Sequence, residues 1–420
     1  MNRARRTMLP LVAACAIVSG CGSSNSAASS GAASSAAVPA ASAPAKDAAL
    51  QTALQQDIDA YLKTRGQAEH ISAVSFSLSR AADPENLNLT AGTYEYGGGG
   101  GKVTPASLFQ IGSITKSFTS VAILHLAAAG KLSLDDTVGK WLPQYPAWKD
   151  VTIRRLLDMT SGIETYDNNQ RFQRAFAKDP MHFFSGAQLV SFVYPAPGHA
   201  PAFEKGWYYS NTAYILSQMI AQRASGIAFD DLVRDQLIAR EHLTNSFFEI
   251  NMYPPTVRSR MVDGYFASHD AINAGLQPLY GKSVRDLSVS WLQGAGGIVG
   301  TPDEVTHWVR ALFDGPLLAR QQRADMERIV SLASGKPVAS TSAKDPRGFG
   351  LGIAQMTMPG MGTYWFYEGE TLGYRVMYVY LPLTRTVYAV GTNSQPDGKE
   401  DKLGPLMGTI YKTLQTHNAL

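Results

Sequence analysis

The stretch Ser107-Leu108-Phe109-Gln110-Ile111-Gly112-Ser113-Ile114-Thr115-Lys116 decides how this chain is read. Its first six residues read as a strand. Ser113 then opens an apolar run, Phe118 to Ala129, that reads as a buried helix stopped by Gly130. Ser and Lys three positions apart on a helix share one face, one turn apart. A serine at a helix start with an amine in reach makes a nucleophile without histidine. About one Ser-x-x-Lys is expected by chance in a chain this long, and Ser113-Ile114-Thr115-Lys116 is the only one present, so its placement carries the argument.

Lys116 can act as a base only when neutral, which requires burial or crowding by positive charge. The turns after it (Phe118, Val121, Ile123, Leu124, Leu126) are apolar almost all round, unlike a solvated lysine face. A second polar group should flank the nucleophile. Tyr209-Ser210-Asn211, just before the helical pattern Thr212 to Ser225, is the better candidate. Tyr209 would relay a proton, and Asn211 would hold Lys116 and a substrate amide. Tyr166-Asp167-Asn168 has the same Tyr-x-Asn form but leads into a polar run with no packed helix expected behind it.

Outward from this core, Asp47 to Thr64 has helical spacing (Leu50, Leu54, Ile58, Tyr61). Ile71 to Arg80 alternates Val74, Phe76 and Leu78 against Ser75, Ser77 and Ser79, as a strand does. Leu87 to Tyr96 reads as a second strand. The middle, Val151 to Ala333, is mostly helical pattern, including Asp230 to Ala239 and Asp303 to Phe313. Gly350 to Met358, Tyr364 to Glu368, Tyr374 to Leu381 and Thr386 to Thr392 read as strands, and Lys402 to Thr416 as a closing helix. The expected fold is α/β of the α+β type. One antiparallel sheet is built from both chain ends and flanked by helices, with a mainly helical domain inserted over roughly residues 113–333.

The amino-terminal end sets the expected compartment. Arg3, Arg5 and Arg6 precede a short apolar stretch, Met8 to Val18, as in a secretory signal over residues 1–20. Val18-Ser19-Gly20-Cys21 resembles a bacterial lipobox, which makes Cys21 the lipidated first residue of an exported, periplasmic, membrane-anchored protein; an ordinary cleaved signal with a chance cysteine is the plainer reading. Gly22 resembles lipoproteins sent to an outer membrane. Residues 21–45 are almost all Ala, Ser, Gly and Pro and read as a disordered tether, leaving 46–420 as the folded domain.

Cys15 falls in the signal, so Cys21 is the one cysteine left and no internal disulfide forms. Without the three signal arginines, 34 basic residues face 34 acidic ones, which gives no reason to expect nucleic acid as partner. No His-Glu-x-x-His cluster or Gly-x-Ser-x-Gly elbow occurs, so neither a metal site nor an ordinary α/β-hydrolase is expected. His199 reads as a surface histidine, and Gly275 to Ser283 as a chance likeness to a P-loop.

Ser-Ile-Thr-Lys and Tyr-Ser-Asn, with Gly130 to Trp141, Ile153 to Ile163, Tyr208 to Gly226 and Gly294 to Val305, resemble the serine β-lactamase-related family. The resemblance runs over essentially Asp47 to Leu420. That family comprises class C β-lactamases, D-Ala-D-Ala carboxypeptidases, D-amino-acid peptidases and esterases. It implies Ser113 as acylated nucleophile, Lys116 as its activator, Tyr209 as proton relay, Asn211 as a substrate contact and no cofactor.

The third family motif, a Lys-Thr-Gly or His-x-Gly on the strand facing the serine, falls on Tyr367-Glu368-Gly369-Glu370. Tyr367 replaces the cationic residue. The backbone N–H groups of Ser113 and Glu370 would still form an oxyanion hole, and Gly369 would let substrate approach. Arg375 could supply the missing charge; otherwise a neutral ester or amide suits the site better, and Tyr367 could also be a packed aromatic.

The expected activity is therefore a serine hydrolase acting through an acyl-enzyme on β-lactams or D-amino-acid cell-wall peptides. An esterase and a non-catalytic tethered binding protein are the alternatives. Small-molecule or peptide substrates, a lipid anchor and a monomer are expected.

Overall fold

The computed structural model describes residues 43–269 and 276–420. The expected signal peptide, the lipidation site Cys21 and nearly all of the linker lie outside them. The first helix, Ala43–Arg65, begins inside the stretch read as linker. Pro44 is compatible with that start, because a first-turn residue has no intrahelical N–H bond to lose.

Nine strands form one antiparallel sheet. Ala73–Ser79 and Leu87–Gly92 come from the amino-terminal side, and the sheet is re-entered at Ile329–Ser331. The other members are Pro337–Val338, Arg347–Phe349, Ala354–Met358, Gly362–Glu370, Arg375–Leu381 and Thr386–Thr392. Ala73–Ser79 pairs with Thr386–Thr392, so the two chain ends meet inside the sheet, second and third from one edge. The three short strands at 329–349 carry too little pattern for sequence reading to find.

Strand alternation gives the sheet two unlike faces. Phe76, Met377 and Val390 share one face by register, as do Leu78 and Tyr388. The terminal helices Ala43–Arg65 and Leu403–Thr416 cover that face, bonded to each other by Thr413 and Asp57 (2.6 Å) and to the sheet by Tyr388 Oη donating to Met407 O (3.2 Å). The other face carries Ser75, Ser77 and Ser79, which are buried rather than solvated. Helix Pro302–Phe313 lies there, with Ser77 3.3 Å from Thr306 Oγ1 and Arg310 Nε donating to Ser79 Oγ at 2.9 Å. Small hydroxylated side chains let that helix pack close while satisfying its polar groups. The inserted lobe stacks on this second face.

Candidate active site

Gly112–Ile114 forms a 3₁₀ turn that runs into helix Thr115–Ala128. Ile111 N bonds Ile298 O at 3.0 Å, which anchors the turn to a small second sheet. The helix is buried on nearly every side through Leu124, so Lys116 has no exposed surface. Its Nζ lies 2.9 Å from Ser113 Oγ and donates to Ala295 O at 2.7 Å. It also sits 4.9 Å from the centre of the Tyr209 ring. Burial lowers the Lys116 pKa to about 7, against an opposing pull from the Asp167 carboxylate.

Tyr209 enters from the neighbouring helix Asn211–Ser225, whose N-cap is Ser210, accepting from Ala213 N at 3.2 Å. The preceding backbone is held by Met159: Tyr208 N donates to Met159 O at 2.8 Å. This places Tyr209 Oη 2.6 Å from Ser113 Oγ. Burial pushes the phenol well above its ordinary pKa. Serine, lysine and tyrosine therefore meet at one oxygen.

Asn211 does not hold Lys116. Its Nδ2 donates to Asp167 Oδ2 at 2.9 Å, and Asp167 accepts a second bond from Thr165 Oγ1. The polar run after Tyr166 does have a packed helix behind it: Gln170–Lys178, anchored by buried Phe172 and Phe176. Tyr166 is itself buried, its hydroxyl donating to Trp291 O, so it is structural. Asp167, passed over in the sequence reading, thus borders the site. The spacing of Asn168 from Tyr166 has the Tyr-x-Asn form, which concealed the acid between them.

Gly362–Glu370 passes the nucleophile with its backbone. A Cβ on Gly369 would lie 1.8 Å from Ile111 O and 2.8 Å from Ser113 N. A Cβ on Gly112, whose φ is +51°, would lie 2.7 Å from Glu370 N. Two side-chain-free positions therefore bring the Ser113 and Glu370 amides together, the arrangement an oxyanion hole needs. Gly369 makes room for the serine turn rather than directly for substrate, and Gly112 was not singled out from sequence.

Tyr367 pairs with Tyr378, which pairs with Ala389, so it lies on the face that carries Ser77 and the inserted lobe. It is buried against Phe349 (ring centres 5.6 Å apart), and its hydroxyl approaches that of Tyr209 closely enough to interact with it by hydrogen bonding. It lies near enough to Tyr209 for each phenol to affect the other's ionisation.

Arg375 does not compensate for it. Arg375 pairs with Glu370 and Thr392, on the opposite face. There it is fully buried, bonded to Glu69 Oε2 (2.9 Å), Asp401 and Ser394 O (2.9 Å). The Glu370 side chain shares that face and accepts from Gln395, so only its backbone can serve the site; burial and then Asp401 push its pKa to about 8. Among the described residues no group of His, Cys, Asp and Glu is arranged to hold a metal ion.

A family model described as Beta-lactamase matches residues 58–407. Penicillin-binding protein 4* of Bacillus subtilis (strain 168) is 25% identical over 279 residues, covering 65% of this chain and 58% of that protein. Protein flp of Staphylococcus aureus (strain NCTC 8325 / PS 47) is 26% identical over 302 residues, covering 69% and 55%. The chain spans little more than half the length of these relatives. Among solved structures, D-amino acid amidase from Ochrobactrum anthropi SV3 aligns with a TM-score of 0.71 at 20% identity, over 88% of this chain and 99% of that one. A D-stereospecific amidohydrolase from Streptomyces sp. aligns with a TM-score of 0.69 at 24% identity, over 86% and 98%. At these identities the shared property is the fold.

Proposed function

Because this chain belongs to the Beta-lactamase family, we propose that it is a serine hydrolase that forms an acyl-enzyme on Ser113. One observation carries the reading: Ser113 Oγ lies 2.9 Å from Lys116 Nζ and 2.6 Å from Tyr209 Oη. Neutral Lys116 keeps an N–H on Ala295 O and takes the Ser113 proton as Oγ attacks a carbonyl. The Ser113 and Glu370 amides receive the oxyanion. Tyr209, held as a neutral phenol, gives its proton to the departing amine or alkoxide. The Lys116 proton then returns to the tyrosinate. Water repeats the sequence in reverse roles to release the acid.

The favoured substrates are esters or amides with no carboxylate beside the scissile bond. Tyr367 stands where a cation would receive that carboxylate, and Arg375 is committed to Glu69 and Asp401. Turnover of D-amino-acid peptides or β-lactams is the second reading. It is supported by relatives named for penicillin binding and D-amino acid amidase activity.

The test is an intact-mass spectrum of residues 43–420 quenched within seconds of adding p-nitrophenyl acetate or, separately, a penicillin. An acetyl adduct or ester turnover that Ser113→Ala abolishes upholds the reading. No adduct and no Ser113-dependent turnover with either reagent would leave a non-catalytic binding protein. A penicillin adduct favours the second reading. The amino-terminal segment supports export and lipid attachment at Cys21; radiolabelled palmitate should enter the wild type and not Cys21→Ala.

A further inference from the structure

We infer that Gln395 is a positioning residue for the oxyanion hole: by holding the Glu370 side chain on the face of the sheet away from the serine, it fixes the backbone amide that Glu370 turns toward Ser113. The inference rests on the serine-hydrolase reading and adds a residue to that same site. Thr371 N donates to Tyr374 O at 2.9 Å, closing the turn that follows Gly362–Glu370. Backbone groups alternate sides along an antiparallel strand, so the N–H and C=O of Glu370 point off the opposite edge, away from Arg375–Leu381. The serine turn lies along that outer edge: a Cβ on Gly112 would come 2.7 Å from Glu370 N and 2.8 Å from Glu370 O. Ala354–Met358 pairs on the outer edge only as far as Phe366. The peptide that offers the oxyanion amide therefore lies beyond the ladder on that side, at the last residue of its strand.

The Glu370 side chain supplies the missing restraint, because Gln395 Nε2 donates to its Oε1. Gln395 sits in the short strand Ser394–Pro396, which pairs in parallel with Tyr265–Ala267 and sets buried Phe266 opposite it. The residues before it are pinned. The Asn393 side chain accepts from Ser72 N (3.0 Å) and Ala73 N (2.9 Å) and donates to Asp263 O (2.7 Å). Ser394 O accepts from Arg375 Nε at 2.9 Å. Gln395 thus projects from a fixed support, and a side chain held at its tip restricts rotation of its own peptide. Asp401, Glu368 and Arg375 are the charged groups around the Glu370 carboxyl. Burial and then Asp401 push it up to about 8, so at pH 7 it brings little negative charge behind the oxyanion.

The test follows p-nitrophenol release from p-nitrophenyl acetate in the pre-steady state at pH 7. The limiting acylation rate is a first-order constant, so it does not depend on how much of a variant is folded. In Gln395→Ala it should fall about tenfold, less than outright loss of an oxyanion donor costs, while the half-saturating ester concentration stays. Glu370→Ala keeps the amide, removes the same bond from its other end and should lose as much. The double variant should be no slower than either single, because one bond is lost in all three. Gln395→Glu, compared with wild type at each pH, should recover much of the rate at pH 6, where a shared proton joins the two carboxyls, and lose it at pH 9. A wild-type limiting rate in Gln395→Ala, a loss confined to the half-saturating concentration, multiplied losses in the double variant, or a Gln395→Glu deficit equal at both pH values would overturn the inference and leave the hydrolase reading standing. If the wild type shows no Ser113-dependent release of p-nitrophenol, the hydrolase reading fails and takes the inference with it.

Discussion

Arg375 and Glu69 form an ion pair 2.9 Å long in which neither side chain is exposed. Asp401 is a second partner of the same guanidinium. Removing one side of a buried pair strands the other charge. Arg375→Ala should therefore destabilise the protein by about 3–5 kcal/mol. Denaturant melts would measure it. Folded variant, assayed well below its melting temperature, should retain the substrate ranking of the wild type; a changed ranking would return Arg375 to the binding site.

Activity should depend on the Lys116 proton. Burial brings its pKa to about 7, and only the neutral amine accepts the Ser113 proton. The acid limb of kcat/KM should fall tenfold per pH unit below about pH 7 and level off above it. Lys116→Ala should lose about 10²–10⁴-fold in acylation rate, read by stopped-flow with an activated ester.

The same burial makes Lys116 a stability cost. Its folded pKa lies near 7 against 10.5 unperturbed, so the unfolded chain binds the extra proton between those values. Stability then rises with pH across that window, and the cost is full below it. Lys116→Met should raise the melting temperature by about 2–6 °C at pH 6, a gain that fades toward pH 10. An unchanged gain at both pH values would contradict a neutral buried amine.

Gly369→Ala should damage catalysis more than folding. Its Cβ would meet Ile111 O at 1.8 Å, and that oxygen belongs to the backbone, which cannot swing aside as a side chain would. The strand must back away, opening the gap between the Ser113 and Glu370 amides. Loss of one oxyanion contact costs about 10²–10³-fold in kcat, with about 1–3 kcal/mol lost from stability. Kinetics and melting on the same preparation would separate the two.

Tyr367 and Tyr209 should respond differently to loss of a hydroxyl. Tyr209→Phe removes the 2.6 Å contact to Ser113 and should lower kcat about 10²–10⁴-fold. Tyr367→Phe removes a buried hydroxyl whose partner is the Tyr209 phenol, a weak contact that does not meet Ser113, and should change stability by no more than about 1 kcal/mol. A larger destabilisation by Tyr367→Phe, seen in thermal melts, would mean that its contact with Tyr209 is a strong hydrogen bond in the folded protein.

The residues that act within one element were legible without the fold. Ser113 and Lys116 are one helical turn apart, so helix geometry alone puts them together. The apolar turns after Lys116 announced its burial. Tyr209 was found because it precedes a strongly patterned helix, and alternation exposed the main strands, although the serine face of Ala73–Ser79 proved to meet a helix rather than water. The β-lactamase-related likeness and the antiparallel sheet with flanking helices both followed from these local signals.

What lay across elements was decided only by the tertiary structure. Arg375 is five residues from Glu370 in the chain, yet register sends both side chains to the face away from the serine. Asn211 turned from Lys116 to Asp167 because a loop folded beside its helix start. Gly112 and Gly369 matter as a pair whose 257-residue separation no local pattern spans. Sequence periodicity specifies which side of an element is apolar. It does not specify which strand lies alongside which, and that pairing chose the face Arg375 occupies, the neighbour of Asn211 and the approach of the Ser113 and Glu370 amides.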